Sequence, residues 1–201
     1  MRHDMDPRHI DTPSDWVARF ATLIPRGEVL DLACGAGRHA RMLAALGHPV
    51  LAVDRDGAAL AQAAGQGITP LQLDLEEGAT WPFESDRFAA IVVTNYLHRP
   101  LFPNLLAGVA PGGLLIYETF ALGNERFGKP SNRDFLLAPA ELLKWVQSDA
   151  DHSWHVIAYE DGYLDRPKPA MVQRICSVKT GAAQDRALRD GTPAHYPLKP
   201  T

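Results

Sequence analysis

The 201-residue chain has only two cysteines, Cys34 and Cys176, with no Cys-x-x-Cys pair and no Cys/His ligand spacing. That argues against a disulfide-stapled scaffold and a structural zinc site, and it fits a reducing cytoplasm. A basic excess is also missing: 20 Lys and Arg stand against 24 Asp and Glu, a formal net charge of −4. A protein held to nucleic acid by phosphate charge alone shows the opposite balance. No apolar run approaches the ~20 residues that cross a bilayer, and Met1–Asp6 lacks the apolar core of a secretory signal. Neither a membrane partner nor export is therefore expected. Internal repeats are absent. His3, His9, His48, His152, His155 and His195 are scattered, so no metal site is expected.

What is present is an ordinary hydrophobic share, 46%, in a chain long enough for one full domain. That domain is expected over residues 12–179, with a flexible N-terminus at 1–11 and a flexible tail at 180–201. Thr12-Pro13-Ser14-Asp15 reads as a helix start with Thr12 as N-cap, and Trp16, Val17, Phe20, Leu23 and Ile24 share one face. A strand over Glu28–Ala33 and a helix over Arg38–Leu46 follow. The helix's buried stripe is expected at Ala40, Leu43, Ala44 and Leu46, with Gly47 as its C-terminal cap. Further strands are expected at Val50–Asp54, Thr69–Asp74, Phe88–Asn95 and Leu114–Thr119. Between them lie a helix capped by Asp56, a short helix opened by Pro103, and a break at Pro111-Gly112-Gly113. Regular alternation of strand and helix predicts an α/β fold, a doubly wound sheet with helices on both faces.

Residues 120–137 form a long loop of the kind that often carries function. A helix near Pro139 follows it. Trp154–Tyr159 and Met171–Val178 then read as an antiparallel hairpin at the sheet edge, because the stretch between them is too short for a crossover helix.

The centre of the chain is Val29-Leu-Asp-Leu-Ala-Cys-Gly-Ala-Gly-Arg-His-Ala40: a strand, a glycine turn at Gly35 and Gly37, and a helix start. Ligands of such sheets sit at the carboxyl ends of the strands. Asp31, Asp54, Asp74 and Asn95 all fall there. Gly35–Ala40 also fits the dinucleotide pattern G-x-G-x-x-A, with Asp54 at the ribose position. Asp31 separates the readings. A carboxylate just before the turn repels a pyrophosphate but attracts the α-ammonium group of S-adenosylmethionine. Asp54 would accept from the two ribose hydroxyls, and Asp74 with the Leu75 backbone would face the adenine.

Asp31-Leu-Ala-Cys-Gly-Ala-Gly37, Asp54, Asp74, Asn95-Tyr96 and Pro111-Gly-Gly113, in this order, resemble the class I S-adenosylmethionine-dependent methyltransferases. Tyr117–Phe120, Gly123–Gly128 and Phe135–Leu137 resemble the small bacterial tellurite-resistance-like subgroup. The resemblance implies a seven-stranded mixed sheet in the order 3-2-1-4-5-7-6 with the last strand antiparallel. It implies a cofactor set of Asp31, Ala33, Gly35, Gly37, Arg38, Asp54, Arg55, Asp74, Leu75 and Asn95. Tyr96, His98 and Glu118 are the catalytic candidates, and Tyr96, Asn124, Arg126 and Lys129 the acceptor-side candidates.

The expected activity is methyl transfer to a small-molecule nucleophile by in-line substitution, in a cytoplasmic monomer or homodimer. One rival is an RNA methyltransferase. The charge balance opposes it, and so does Asn95-Tyr-Leu-His98 where an Asn/Asp-Pro-Pro-Tyr/Phe run would stand. The others are an NAD-dependent dehydrogenase, opposed by Asp31, and a regulatory protein that binds the cofactor without turnover.

Overall fold

The computed structural model describes residues 12–76, 78, 80–181, 186–187, 190–192 and 194–198. The expected flexible N-terminus, residues 1–11, lies outside them. Seven strands form one sheet: β1 Val29–Leu32, β2 Val50–Asp54, β3 Ile68–Gln72, β4 Phe88–Thr94, β5 Val109–Phe120, β6 Trp154–Leu164 and β7 Ala170–Lys179. Their order is β3-β2-β1-β4-β5-β7-β6. All pairings among β1–β5 are parallel, whereas β7 runs antiparallel to both β5 and β6. The expected topology is thus the observed one.

Helices cover both faces. On one face α1 (Asp15–Ala21), α2 (Arg38–Ala45) and α3 (Gly57–Ala63) bury Trp16, Phe20, Leu43 and Leu60 against Val29, Val50, Val92 and Ile116. On the other, α4 (Phe102–Gly108) and α5 (Glu141–Gln147) pack Leu105, Leu142 and Val146 near Leu30, Ile91, Leu115 and Ile175. Every residue of β1 and β4 is buried. Central parallel strands covered on both faces read as near-continuous apolar runs for this reason.

Local chemistry sets the element ends. Gly47, at φ +91°, donates to Ala44 O, and His48 N donates to Leu43 O; this pair of bonds closes α2 as the glycine predicts. Asp56 caps α3 by accepting from the Ala58 and Ala59 amides.

The structure corrects four expectations. The cap of α1 is Ser14, not Thr12: its hydroxyl accepts from Trp16 N at 3.1 Å, and Pro13 lies before the helix rather than at its first position. Leu46 is 49% exposed because α2 ends before its stripe reaches that position. Pro111-Gly112-Gly113 does not break the chain into helix and strand. It is a bulge inside β5, where the register shifts between Phe88 and Ala90. A side chain at Gly113 would stand 2.8 Å from the Ala89 carbonyl. Finally, β6 runs on to Leu164, since Glu160 and Asp161 pair with Arg174 and Gln173 despite their polarity.

The end of β7 is fastened to the helix beside it. Lys179 is 2% exposed, and its ammonium donates to Asp86 Oδ1, Leu106 O and Ala107 O. A buried lysine is tolerated because all three of its donors have acceptors. Part of the expected flexible tail is described. The Tyr196 ring stacks on His155, and the Leu198 carbonyl accepts from Arg19.

Candidate functional site

Four strand ends meet at one edge of the sheet, and the backbone there is bent in unusual ways. Ala33 after β1 has φ +54° and Asn95 after β4 has φ +56°, both left-handed although neither is glycine. Such conformations cost free energy and concentrate at functional sites. Between Ala33 and α2 the chain turns through Gly35 (φ +54°) and Gly37 (φ +80°). A Cβ on Gly37 would collide with Ala63 of α3, so the turn needs glycine there for both space and conformation.

A cavity of about 200 Å³ opens beside this turn, lined by Leu32, Ala33, Val53, Asp54, Arg55, Leu73, Asp74, Leu75, Glu76 and Tyr96. Of the predicted cofactor set, Ala33, Asp54, Arg55, Asp74 and Leu75 are in that wall. Asp54 also builds the turn: Oδ2 accepts from Gly35 N at 2.7 Å and Oδ1 from Asp56 N at 2.9 Å. Each carboxylate oxygen keeps acceptor capacity for a ligand hydroxyl. Asp74 Oδ1 accepts from Glu76 N.

Asp31, Gly35, Gly37, Arg38 and Asn95 lie around the cavity rather than in its lining. Asp31 alternates onto the α1–α2 face of β1. It is 1% exposed, and its Oδ2 has no hydrogen-bond partner among the described residues. Burial raises its pKa to about 7, opposed by the Ala40 amide and Arg38 and reinforced by Asp54. A buried, half-satisfied carboxylate is what a cationic ligand group would complete. Arg38 lies in the field of both Asp31 and Glu118, and burial lowers its pKa. Its Nη1 reaches the Thr12 carbonyl at 3.4 Å. The Cys34 thiol, inside the same turn, is pushed up to about 12 by burial and by Asp31 and Asp54, so it is inert at neutral pH.

Two residues of this edge carry no local sequence signal. His39 is 1% exposed on α2; its Nε2 accepts from Ser14 N at 3.0 Å, and its Nδ1 lies 3.5 Å from Thr94 Oγ1. Burial, then Arg38, lowers its pKa to about 3, so it is neutral. Ser14, already the cap of α1, donates to Glu118 Oε1 at 2.8 Å.

That bond bears on Glu118, a catalytic candidate. Its Oε2 takes Arg174 at 3.2 Å, and Arg174 also grips Glu160 Oε2 at 2.6 Å. Both Glu118 oxygens thus have protein partners, an arrangement that fits the structural alternative for this candidate. Asn124, an acceptor-side candidate, is held in the same way. It is 2% exposed, donating to Pro130 O and accepting from Met171 N, so it holds the 120–137 loop closed. Arg126 and Lys129 are exposed on that loop.

Tyr96 lines the cavity. Burial and the neighbouring Glu76 carboxylate raise its phenol pKa, and its carbonyl accepts from Tyr117 at 2.7 Å. His98 is half-buried two residues on and is not part of the cavity lining. Arg99 ties this corner to the loop, donating to Asp134 O, Leu136 O and both oxygens of Glu141.

Comparisons with known proteins agree with this geometry. Residues 29–113 match the model of a methyltransferase domain family. Over 108 residues the chain is 35% identical to a protein-L-isoaspartate O-methyltransferase of Chlorobaculum tepidum, covering 51% of this chain and 49% of that one. The chain thus spans about half the length of that curated relative. Among solved structures, TehB from Haemophilus influenzae superposes with a TM-score of 0.64 at 21% identity, over 83% of this chain and 62% of that one. Phosphoethanolamine N-methyltransferase 2 of Haemonchus contortus, solved with S-adenosyl-L-methionine, gives 0.63 at 15% identity over 83% and 52%. The fold is that of the class I S-adenosylmethionine-dependent methyltransferases. No described helix is long and apolar enough to cross a membrane.

Proposed function

We propose that this chain is an S-adenosylmethionine-dependent methyltransferase acting on a small-molecule nucleophile. The observation that carries the reading is Asp31: a buried carboxylate with an unpartnered oxygen, beside a glycine turn that Asp54 pins in place. A dinucleotide phosphate would meet repulsion there, whereas the α-ammonium group of the cofactor would supply the missing donor.

In this reading Asp54 takes the ribose hydroxyls with its remaining lone pairs. Asp74 and the Leu75 backbone take the adenine edge, and Arg38 takes the amino-acid carboxylate. Once bound, the cofactor supplies a methyl carbon activated by a sulfonium leaving group. The rest of the task is alignment. Tyr117, bonded to the Tyr96 carbonyl, and Arg99, bonded to the 132–137 segment, hold the walls on the acceptor side. Tyr96 keeps its proton and acts as a hydrogen-bond donor, not a base. His98 is then the candidate base for an acceptor that attacks with a proton still attached. Arg126 and Lys129 would draw in an anionic acceptor. The acidic balance supports a small acceptor over RNA, and the two unpaired cysteines support a cytoplasmic setting.

Calorimetry with S-adenosylhomocysteine and NAD tests the cofactor assignment: binding of the first and not the second is expected, and the reverse overturns it. A screen with methyl-labelled cofactor tests turnover. Tight binding with no transfer to any small-molecule pool would point to the regulatory alternative.

A further inference from the structure

Arg55 follows directly on the acid that ends β2, and it lines the cavity. In dinucleotide-binding sheets of this winding, a free arginine near that acid accepts a ribose 2′-phosphate. Arg55 is not free. Its Nη1 lies 3.2 Å from Glu76 Oε2, the two side chains being 63% and 32% exposed. Both partners are set by backbone contacts. Gln72 Nε2 donates to the Arg55 carbonyl, and the Glu76 amide donates to Asp74 Oδ1. The pair therefore bridges the exits of β2 and β3 over the ribose side of the cavity. With Asp54, Asp74 and Glu76 in the wall against Arg55 alone, the local charge is negative and its one cation is engaged.

We propose that Glu76 is a specificity-determining residue. By holding the Arg55 guanidinium, it denies the ribose edge a cation for phosphate and restricts the pocket to nucleosides with free ribose hydroxyls. The inference rests on the nucleoside-pocket reading above and deepens it. Glu76 contributes to selection through charge, not through a bond to the reacting atoms.

The test is calorimetry on the full chain at low ionic strength, with adenosine, adenosine 2′-monophosphate and S-adenosylhomocysteine as probes. The wild type should bind adenosine and S-adenosylhomocysteine and discriminate strongly against the monophosphate. Glu76→Gln should raise the ratio of monophosphate to adenosine affinity about tenfold, an increment of the size expected for one uncovered charge. The gain should shrink with added salt and vanish in the Glu76→Gln, Arg55→Gln double variant. An unchanged ratio of the two affinities, or a parallel change in both, overturns the inference while normal S-adenosylhomocysteine binding leaves the methyltransferase reading standing. Failure of the wild type to bind either adenosine or S-adenosylhomocysteine overturns both.

Discussion

The two halves of the site edge are built differently. On the β1–β3 side, backbone does the shaping: left-handed turns at Ala33, Gly35 and Gly37, with the Asp54 carboxylate holding the Gly35 amide. On the β4–β7 side, long side chains do it. Arg99 reaches the 134–136 carbonyls, Asn124 spans Pro130 and Met171, and Glu118 joins Ser14 to Arg174. A backbone-built pocket has a fixed shape and suits a ligand that does not vary. A wall stitched by side chains changes its lining through substitutions that leave the fold alone.

The largest expected effect strikes the backbone side. Gly37→Ala places a Cβ in a left-handed residue and against Ala63. It should cost about 3 kcal/mol in urea melts, whereas a comparable loss from Ala36→Gly would show that the turn, not this glycine, is fragile. Next comes the stitched side. Asn124→Ala leaves the Met171 amide and Pro130 carbonyl without partners and should cost about 2 kcal/mol. Faster proteolysis within 125–133, with unchanged S-adenosylhomocysteine affinity, would show that the halves are independent.

Asp31→Asn should weaken S-adenosylhomocysteine roughly tenfold, the size of a charge-assisted bond. The same residue predicts a pH dependence. Burial raises its pKa to about 7 from 3.8, so below pH 7 it must lose a proton to meet an ammonium group. Affinity should therefore rise with pH up to about 7 in the wild type, with proton release on binding, and be flat in Asp31→Asn. For the unliganded fold the sign is opposite. The folded state holds this proton more tightly than the unfolded chain, so stability from this group grows as pH falls from about 7 toward 4. The smallest effect is expected from Glu118→Gln: at most a threefold change in kcat. A base lost from the chemistry would cost a factor of roughly 10²–10⁴, and such a drop would restore the catalytic reading.

The same division explains what was legible from the sequence. Alternating apolar runs and turn residues mark β1–β4, α2, α3 and the Asp56 and Gly47 caps, because each is decided within a few neighbouring residues. The acids at the strand ends follow from the same pattern. The strand order came from family resemblance rather than from any local signal. Ser14, His39 and Glu118 were illegible for a shared reason: their partners lie far away along the chain, as Ser14 and Glu118 show; Asn124 joins a near partner, Pro130, to a distant one, Met171. Nothing near Glu118 announces Arg174, and nothing near His39 announces that α1 will lean on it. Bulges were hidden too. Pro111-Gly112-Gly113 reads as a stop, yet the sheet absorbs it.

The seat of α1 sets an order of assembly. Trp16 Nε1 donates to the Ile175 carbonyl, the Arg174 guanidinium covers the same ring at 4.9 Å, and Ser14 waits on Glu118. During synthesis α1 emerges long before any of these partners exists. It must stay undocked, with Trp16 and Phe20 exposed, until β7 has been made and has paired with β5. A helix made early is therefore among the last to settle, and an aggregation risk of the nascent chain falls on its apolar face.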